Sequence, residues 1–241
     1  MDAAAEPCGV LLVDKDRGPT SHDVVDRVRR LFGTRRVGHA GTLDPMATGL
    51  LILLVGKATK ASAQLMSQDK TYEADLTLGV TTDSQDADGE PRETRPVPPL
   101  TEAQVRAAMG RMLGDQYQTP PMHSARKVGG VPLYKLAHKG QEIPREPRFI
   151  RVDSMDLLAW EPPVLRLRTR CSKGTYVRTL GHDLAQALGP GGHLTALRRT
   201  ASGELRVEDA MTLEALGRLP RAELLARLIP AALAAPSQGP A

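Results

Sequence analysis

The apolar positions of this chain fall into short strands and helical stripes that alternate along its length. Residues 9–13, Gly-Val-Leu-Leu-Val, form an uninterrupted apolar run and predict a buried strand. Thr20 and Ser21 then offer a capping oxygen to a helix whose apolar residues Val24, Val25, Val28, Leu31 and Phe32 recur at helical spacing, with Gly33 placed to close it. A glycine-rich turn through Gly38 and Gly41 leads to a second apolar strand over 50–55, and a short helix is expected over 58–66. Residues 72–78 alternate apolar and polar, the pattern of a strand with one buried face. The stretch 83–99, polar and carrying four prolines, reads as a loop, and Thr101 caps a helix reaching about residue 113. Residues 118–147 mix prolines, glycines and basic side chains around a helical turn at 133–138, and predict an exposed, mobile insertion. Strands over 149–158 and 164–170, a helix over 176–188 and a hairpin over 196–207 follow. The Ala/Pro-rich tail from residue 231 is expected to fray. With no internal repeat, the pattern is that of an α+β chain.

Composition narrows the classes. The 241 residues are 41% hydrophobic, enough for a folded core, and the longest apolar run is six residues, far short of the ~18 needed to span a membrane. Residues 1–7 lack a basic segment and contain Asp2 and Glu6, unlike a secretory signal, so a cytoplasmic protein is expected. Cys8 and Cys171 are far apart and have no partners at ligand spacing, which supports neither a disulfide framework nor a zinc site. The net charge is only +4, yet arginine outnumbers lysine 24 to 8, and the arginine fork suits phosphates and base edges. Residues 27–60 carry seven basic side chains against the single acid Asp44, and 126–151 carry seven against Glu142 and Glu146. Such blocks are the footprint of nucleic-acid binding, although solvated faces balanced in the fold would look the same.

Spacing excludes several chemistries. Gly56-Lys57 lacks both the glycine five residues upstream and the following Ser or Thr of a phosphate-binding loop. The acidic run 84–89 begins like a calcium loop, but its twelfth position would be Arg95, a cation. The six histidines are too scattered for a His-based metal motif. One segment stands out: Arg36-Val-Gly-His39-Ala-Gly-Thr42-Leu-Asp44-Pro-Met-Ala-Thr48-Gly49, lying in the first basic block. Leu-Asp-Pro could be only an Asp-stabilised turn, but a lone carboxylate among cations favours ionisation and can act as nucleophile or base. Aromatics are 3% of the chain, and two of the four tyrosines, Tyr72 and Tyr176, lie beside basic residues. Rings next to cations can receive an unstacked base, as enzymes acting on bases require, and can equally be packing groups.

Taken together, the segments resemble the TruB family of tRNA pseudouridine synthases. The matching pieces run in order over residues 9–215. They are the 9–15 strand, the His39 to Leu50 run, Lys70-Thr-Tyr72, Leu78-Gly79, Thr82-Asp83 through Asp88-Gly89, Gln118 through Lys127, Leu133-Tyr134, Lys173-Gly-Thr-Tyr176-Val-Arg178 and Leu197-Arg198-Arg199. The resemblance implies a catalytic fold with a mixed, largely antiparallel sheet flanked by helices. It also implies isomerisation of uridine 55 in the T loop of tRNA to pseudouridine, without metal or cofactor. It makes Asp44 the catalytic carboxylate, Tyr72 the ring stacked on the flipped uracil and Arg178 the arginine paired with that carboxylate. Tyr176 and Leu197 match pocket-lining positions, His39 the residue that takes the place of the flipped base, and Lys15 a lysine near the pocket with structural duties. Arg126 and Lys127 fall in the insertion expected to grip RNA.

The chain departs from the family pattern in having Lys15-Asp16 where Lys-Pro is usual. Only 42 residues follow Arg199, so the family's C-terminal PUA module is expected to be absent or reduced. The expected organisation is a catalytic domain over 9–215, with the insertion at 118–147, and a short C-terminal helix and tail over 216–241. The expected partner is the T arm of tRNA, with no membrane or protein partner and a monomeric state. A non-catalytic tRNA-binding or folding protein on the same scaffold is the competing reading, opposed by the intact Asp44, Tyr72 and Arg178. A guide-dependent synthase is a weaker third, since it should carry a full PUA module.

Overall fold

The computed structural model describes residues 6–124, 126–137 and 139–234, and the chain divides into two compact units, residues 1–71 with 198–241 and residues 72–197. The first unit opens with β1 (Gly9–Lys15), α1 (Ser21–Phe32), β2 (Val37–His39), β3 (Thr48–Val55), a 3-10 turn (Gly56–Ala61) and α2 (Ser62–Met66). Strand β4 (Lys70–Leu78) leads into the second unit, which holds β5 (Val80–Thr82), β6 (Pro91–Thr94), α3 (Glu102–Gly110), β7 (Gly114–Gln118), β8 (Lys127–Val128) and β9 (Val131–Pro132). It continues with α4 (Leu133–Ala137), β10 (Arg148–Glu161), β11 (Val164–Cys171) and α5 (Val177–Leu188). Strand β12 (Gly192–Ser202) returns the chain to the first unit, which is completed by β13 (Leu205–Arg206), β14 (Met211–Thr212), α6 (Leu213–Arg218), α7 (Arg221–Ala226) and α8 (Ala231–Ala234).

In the first unit β1 pairs antiparallel with β3 and parallel with β14. The other edge of β3 is shared: the end of β12 runs parallel to its start, with Arg199 opposite Gly49, and β2 runs antiparallel to its end. The buried apolar run of β3 follows from this covering on both sides and both faces. Val10, Leu12, Leu50, Ile52, Leu54, Leu65 and Val207 form its core, each large side chain contributing about 1.5–3 kcal/mol on burial. In the second unit the strand order is β12, β4, β11, β10, β7. Ile150, Val152, Leu165 and Leu167 are buried there, as are Val105 and Met109 of α3 and Leu180 and Leu184 of α5. The fold is thus α+β, with a mixed, mainly antiparallel sheet flanked by helices.

Helix α1 starts as its sequence dictates: Thr20 and Asp23 form a reciprocal capping box, and Gly33 closes the helix at φ 64°. Thr101 caps α3 in the same way with Gln104.

Three expectations are corrected. The 83–99 stretch is not all loop: Pro91–Thr94 pairs with Val80–Thr82 as a hairpin. Every residue of that strand is exposed, so no alternation announces it, and proline is tolerated at the first position of an edge strand. The 58–66 helix is split, because the first turn is 3-10. The chain beyond 216 makes several short helices, and residues 231–234 are helical rather than frayed. They are held by reciprocal backbone bonds between Val10 and Ile229, at 2.7 and 2.8 Å, and by burial of Ala234 in the first core. Residue 138 of the predicted helical turn and residues 235–241 lie outside the described residues.

Gly49 marks a place of very tight packing in the first unit. It sits at φ 96°, and a Cβ there would lie 2.3 Å from the Arg199 carbonyl oxygen. Gly49→Ala therefore combines left-handed backbone strain with a backbone clash, and should destabilise the protein by about 2–5 kcal/mol. Urea unfolding measures this, and a midpoint unchanged from wild type would show that β3 and β12 can separate at little cost.

Candidate active site

The turn carrying Asp44 lies between β2 and β3, and the first unit fixes its main chain from several directions. Ala47 N donates to the Asp44 carbonyl at 3.1 Å, closing the turn, and the Asp44 side chain is half-buried. On one side of it, Ser21 Oγ donates to the Leu43 carbonyl at 2.9 Å and accepts from Leu43 N at 2.8 Å. On the other, the Pro45 carbonyl accepts from Gly18 N at 2.8 Å and from Lys15 Nζ at 3.2 Å. Lys15 is 1% exposed and also donates to the Asp16 carbonyl at 2.8 Å. It therefore acts on the backbone beside Asp44.

Arg199 is the least expected member. Its guanidinium, 2% exposed, donates to the carbonyls of Leu50 at 2.7 Å, Gly41 at 3.1 Å and Thr42 at 3.4 Å. These acceptors flank Asp44 in sequence, so one side chain of β12 holds the turn at both its ends. Arg198 points elsewhere and forms a bidentate pair with Asp14, at 2.9 and 2.7 Å. Sequence reasoning quoted both arginines as part of a motif but gave neither a task. Acceptors that are main-chain carbonyls leave no side-chain signature.

His39 begins the loop at the end of β2. Burial holds its imidazole below the ordinary histidine value, and the positive charge of Arg199, then that of His22, pushes the same way. Its Nδ1 is buried without a hydrogen-bond partner. A neutral, half-buried ring is suited to contacting a base by its face.

The second unit gathers Tyr176, Arg178 and the 118–124 segment. Tyr176 is the residue before α5, and its main chain is clamped by the Gln118 amide: Tyr176 N donates to Gln118 Oε1 at 2.8 Å, and Gln118 Nε2 donates to the Tyr176 carbonyl at 3.1 Å. Arg178, 3% exposed in the first turn of α5, donates from Nη1 to the Ser84 carbonyl at 2.6 Å and from Nη2 to the His123 carbonyl at 2.7 Å. Its Nε lies 3.4 Å from the Asp86 carboxylate, itself buried. Asp86 Oδ1 accepts from Ser84 Oγ and, at 3.1 Å, from Asp88 N, while Gly89 leaves room for Ser84 at a place where a Cβ would clash. The acidic loop set aside as a calcium site is thus a cradle for Arg178. Its signal in the sequence was five acids over 83–93 with one arginine, a charge that needed a cation from elsewhere.

Tyr72, 9% exposed, lies on the buried face of β4, and Leu197, 6% exposed, lies on the neighbouring β12. In the insertion Lys127 is exposed on the β8–β9 hairpin. Arg126 is half-buried, with its carbonyl accepting from Leu133 N at 2.7 Å and Nη1 enclosed without a hydrogen-bond partner. Among the described residues no cluster of His, Cys, Asp and Glu could hold a metal ion, and no helix is long and apolar enough to cross a membrane.

The lowered His39 value has a testable sign. The unfolded ring titrates near 6.5 and the folded ring below it, so the stabilising difference is present above 6.5 and is lost as pH falls toward the folded value. Between about pH 7 and pH 5 the wild type should lose stability relative to His39→Gln. Parallel stability curves for the two proteins would show that His39 titrates alike in both states.

Comparison with known proteins identifies the family. The family model for the N-terminal domain of TruB family pseudouridylate synthase matches residues 29–177, and that for the tRNA pseudouridylate synthase B C-terminal domain matches 178–231. A protein of Opitutus terrae named tRNA pseudouridine synthase B is 62% identical over 95% of each chain. One of the same name from Syntrophotalea carbinolica is 51% identical over 86% of this chain and 68% of its own. Among solved structures, the crystal structure of a Cbf5-Nop10-Gar1 complex matches at TM-score 0.73 and 28% identity, over 92% of this chain and 60% of that chain. The fold, the matched models and these relatives together place the chain in the TruB family of pseudouridylate synthases.

Proposed function

We propose that the protein converts uridine 55 in the T loop of tRNA to pseudouridine. The observation that carries this reading is the Asp44 turn: a carboxylate in a basic stretch, on a main chain fixed on both sides by buried donors, in a chain that belongs to a family of pseudouridylate synthases. Fixing a reacting group in place beforehand is how a protein lowers a barrier without a cofactor. The reaction conserves atoms and electrons. The C1′–N1 bond breaks, the uracil turns while bound, C5 joins C1′, the C5 proton is lost and N1 gains one. Redox balance therefore requires no added group.

Asp44 is assigned to the sugar, as nucleophile at C1′ or as base for a sugar proton. Tyr72 is assigned to stack on the flipped uracil, Arg178 to keep the carboxylate ionised, and Tyr176 and Leu197 to line the pocket. His39 takes the space the base leaves. Arg126 and Lys127 contact phosphates of the T arm. A flipped base stacked on an aromatic ring gains about 1–3 kcal/mol, which offsets part of the cost of unstacking.

Asp44→Asn should abolish pseudouridine formation on unmodified tRNA while leaving tRNA affinity within about tenfold, or ~1.4 kcal/mol. Wild-type turnover by the variant would defeat the assignment. A wild-type protein that binds tRNA but forms no pseudouridine would establish the binding-protein alternative instead.

Affinity for tRNA should also fall steeply with salt. Replacing Arg126 and Lys127 together with alanine should flatten the slope of log K against log salt by about 0.7–0.9 for each phosphate contact removed. An unchanged slope would place the insertion away from the RNA.

A further inference from the structure

The 118–147 insertion meets the start of α5 at two points. Gln118, the last residue of β7, is 4% exposed, and its side-chain amide is spent entirely on the Tyr176 main chain, donor to carbonyl and acceptor to N–H. Five residues later the His123 carbonyl accepts from Arg178 Nη2 at 2.7 Å. The β7 end of the insertion is therefore bonded to Tyr176, the cap residue before α5, and to Arg178 in its first turn, both of which the proposed function places at the substrate. Tyr176 lacks a side-chain cap of its own, and Gln118 fixes the main chain of this cap residue just ahead of the first turn of the helix. A buried amide holding both ends of one residue is geometrically exacting, since neither bond survives a flip or a shift of about an ångström.

We infer that Gln118 is a positioning residue that ties the seating of the insertion on RNA to the placement of Tyr176 and Arg178. The inference rests on the proposed function and deepens it: RNA held by the insertion draws on β7, and β7 carries that constraint through one amide to the pocket. The prediction is a selective loss. Without the amide, RNA still binds through the basic side chains, but the pocket groups no longer settle for the chemical step.

Two variants test this against unmodified tRNA, with wild-type activity on that substrate as the control that the proposed function itself must pass. Gln118→Met removes both bonds at similar size and should lower single-turnover rate about 10- to 100-fold with tRNA Kd within about threefold, the pattern of an interaction used in the transition state. Gln118→Glu keeps the acceptor for Tyr176 N but, when ionised, faces the Tyr176 carbonyl with a repulsive oxygen. Burial beside that carbonyl raises the carboxyl pKa, and protonation restores the donor. Its rate relative to wild type should therefore rise at least fivefold from about pH 8 to pH 6 while urea unfolding shows both proteins fully folded across that range, a response that a loss of folded protein would not produce. If Gln118→Met fails to fold, the pH profile of Gln118→Glu decides alone. Wild-type rates in the variants, a loss confined to Kd, or a flat relative pH profile for Gln118→Glu would each overturn the inference. Inactive wild-type protein would instead overturn the proposed function.

Discussion

A guanidinium enclosed by main-chain carbonyls governs the first unit. A cation taken out of water is costly unless its donors are met, and Arg199 meets that condition with the carbonyls of Gly41, Thr42 and Leu50 rather than with a carboxylate. The planar fork suits the task, because separate nitrogens can reach carbonyls in fixed directions, which a lysine ammonium on a mobile stem does less well. The parallel pairing of Arg199 with Gly49 sets the side chain at the right height, and the missing Cβ at Gly49 allows the strands to approach. Lys15 and Ser21 complete the frame from β1 and α1. The Asp44 carboxylate is thus carried by a backbone whose freedom has been removed elsewhere.

The second unit repeats the device with a different balance of charge. Arg178 also donates to two carbonyls, but a buried carboxylate, Asp86, stands beside it. Asp86 in turn is met by Ser84 and the Asp88 amide, so the pair is not left with open lone pairs. Three separated segments, 84–88, 123 and the start of α5, converge on one side chain. Such convergence makes breaking any single contact costly, since a buried charge would lose a partner that no water replaces. It also ties the polar 84–88 loop to the start of α5.

Local chemistry was legible in the sequence and distant chemistry was not. The apolar runs at 9–13 and 50–55, the alternation of 72–78 and the Thr20–Asp23 capping box act over a few residues, and each formed where its pattern indicated. The hairpin at Pro91–Thr94 escaped because an entirely exposed strand has no apolar face. The burial of Lys15 and Arg199 escaped for another reason. Charged residues read as surface by default, and carbonyl acceptors can belong to any residue type. The family resemblance supplied the roles proposed for Asp44, Tyr72 and Arg178. It did not supply Asp86 or the pair of hydrogen bonds between Gln118 and Tyr176, which appear only when the loops are seen together.

Arg199 lies 149 residues beyond Leu50, whose carbonyl it holds. On a ribosome adding roughly 5–20 residues per second, the Asp44 turn therefore waits about 7–30 s for the side chain that fixes it. Throughout that interval the nascent chain can display its basic segments to RNA but has no completed frame around the carboxylate. The frame around the carboxylate is complete only when β12 has been translated and paired with β3, so the order of synthesis sets when the turn is fixed.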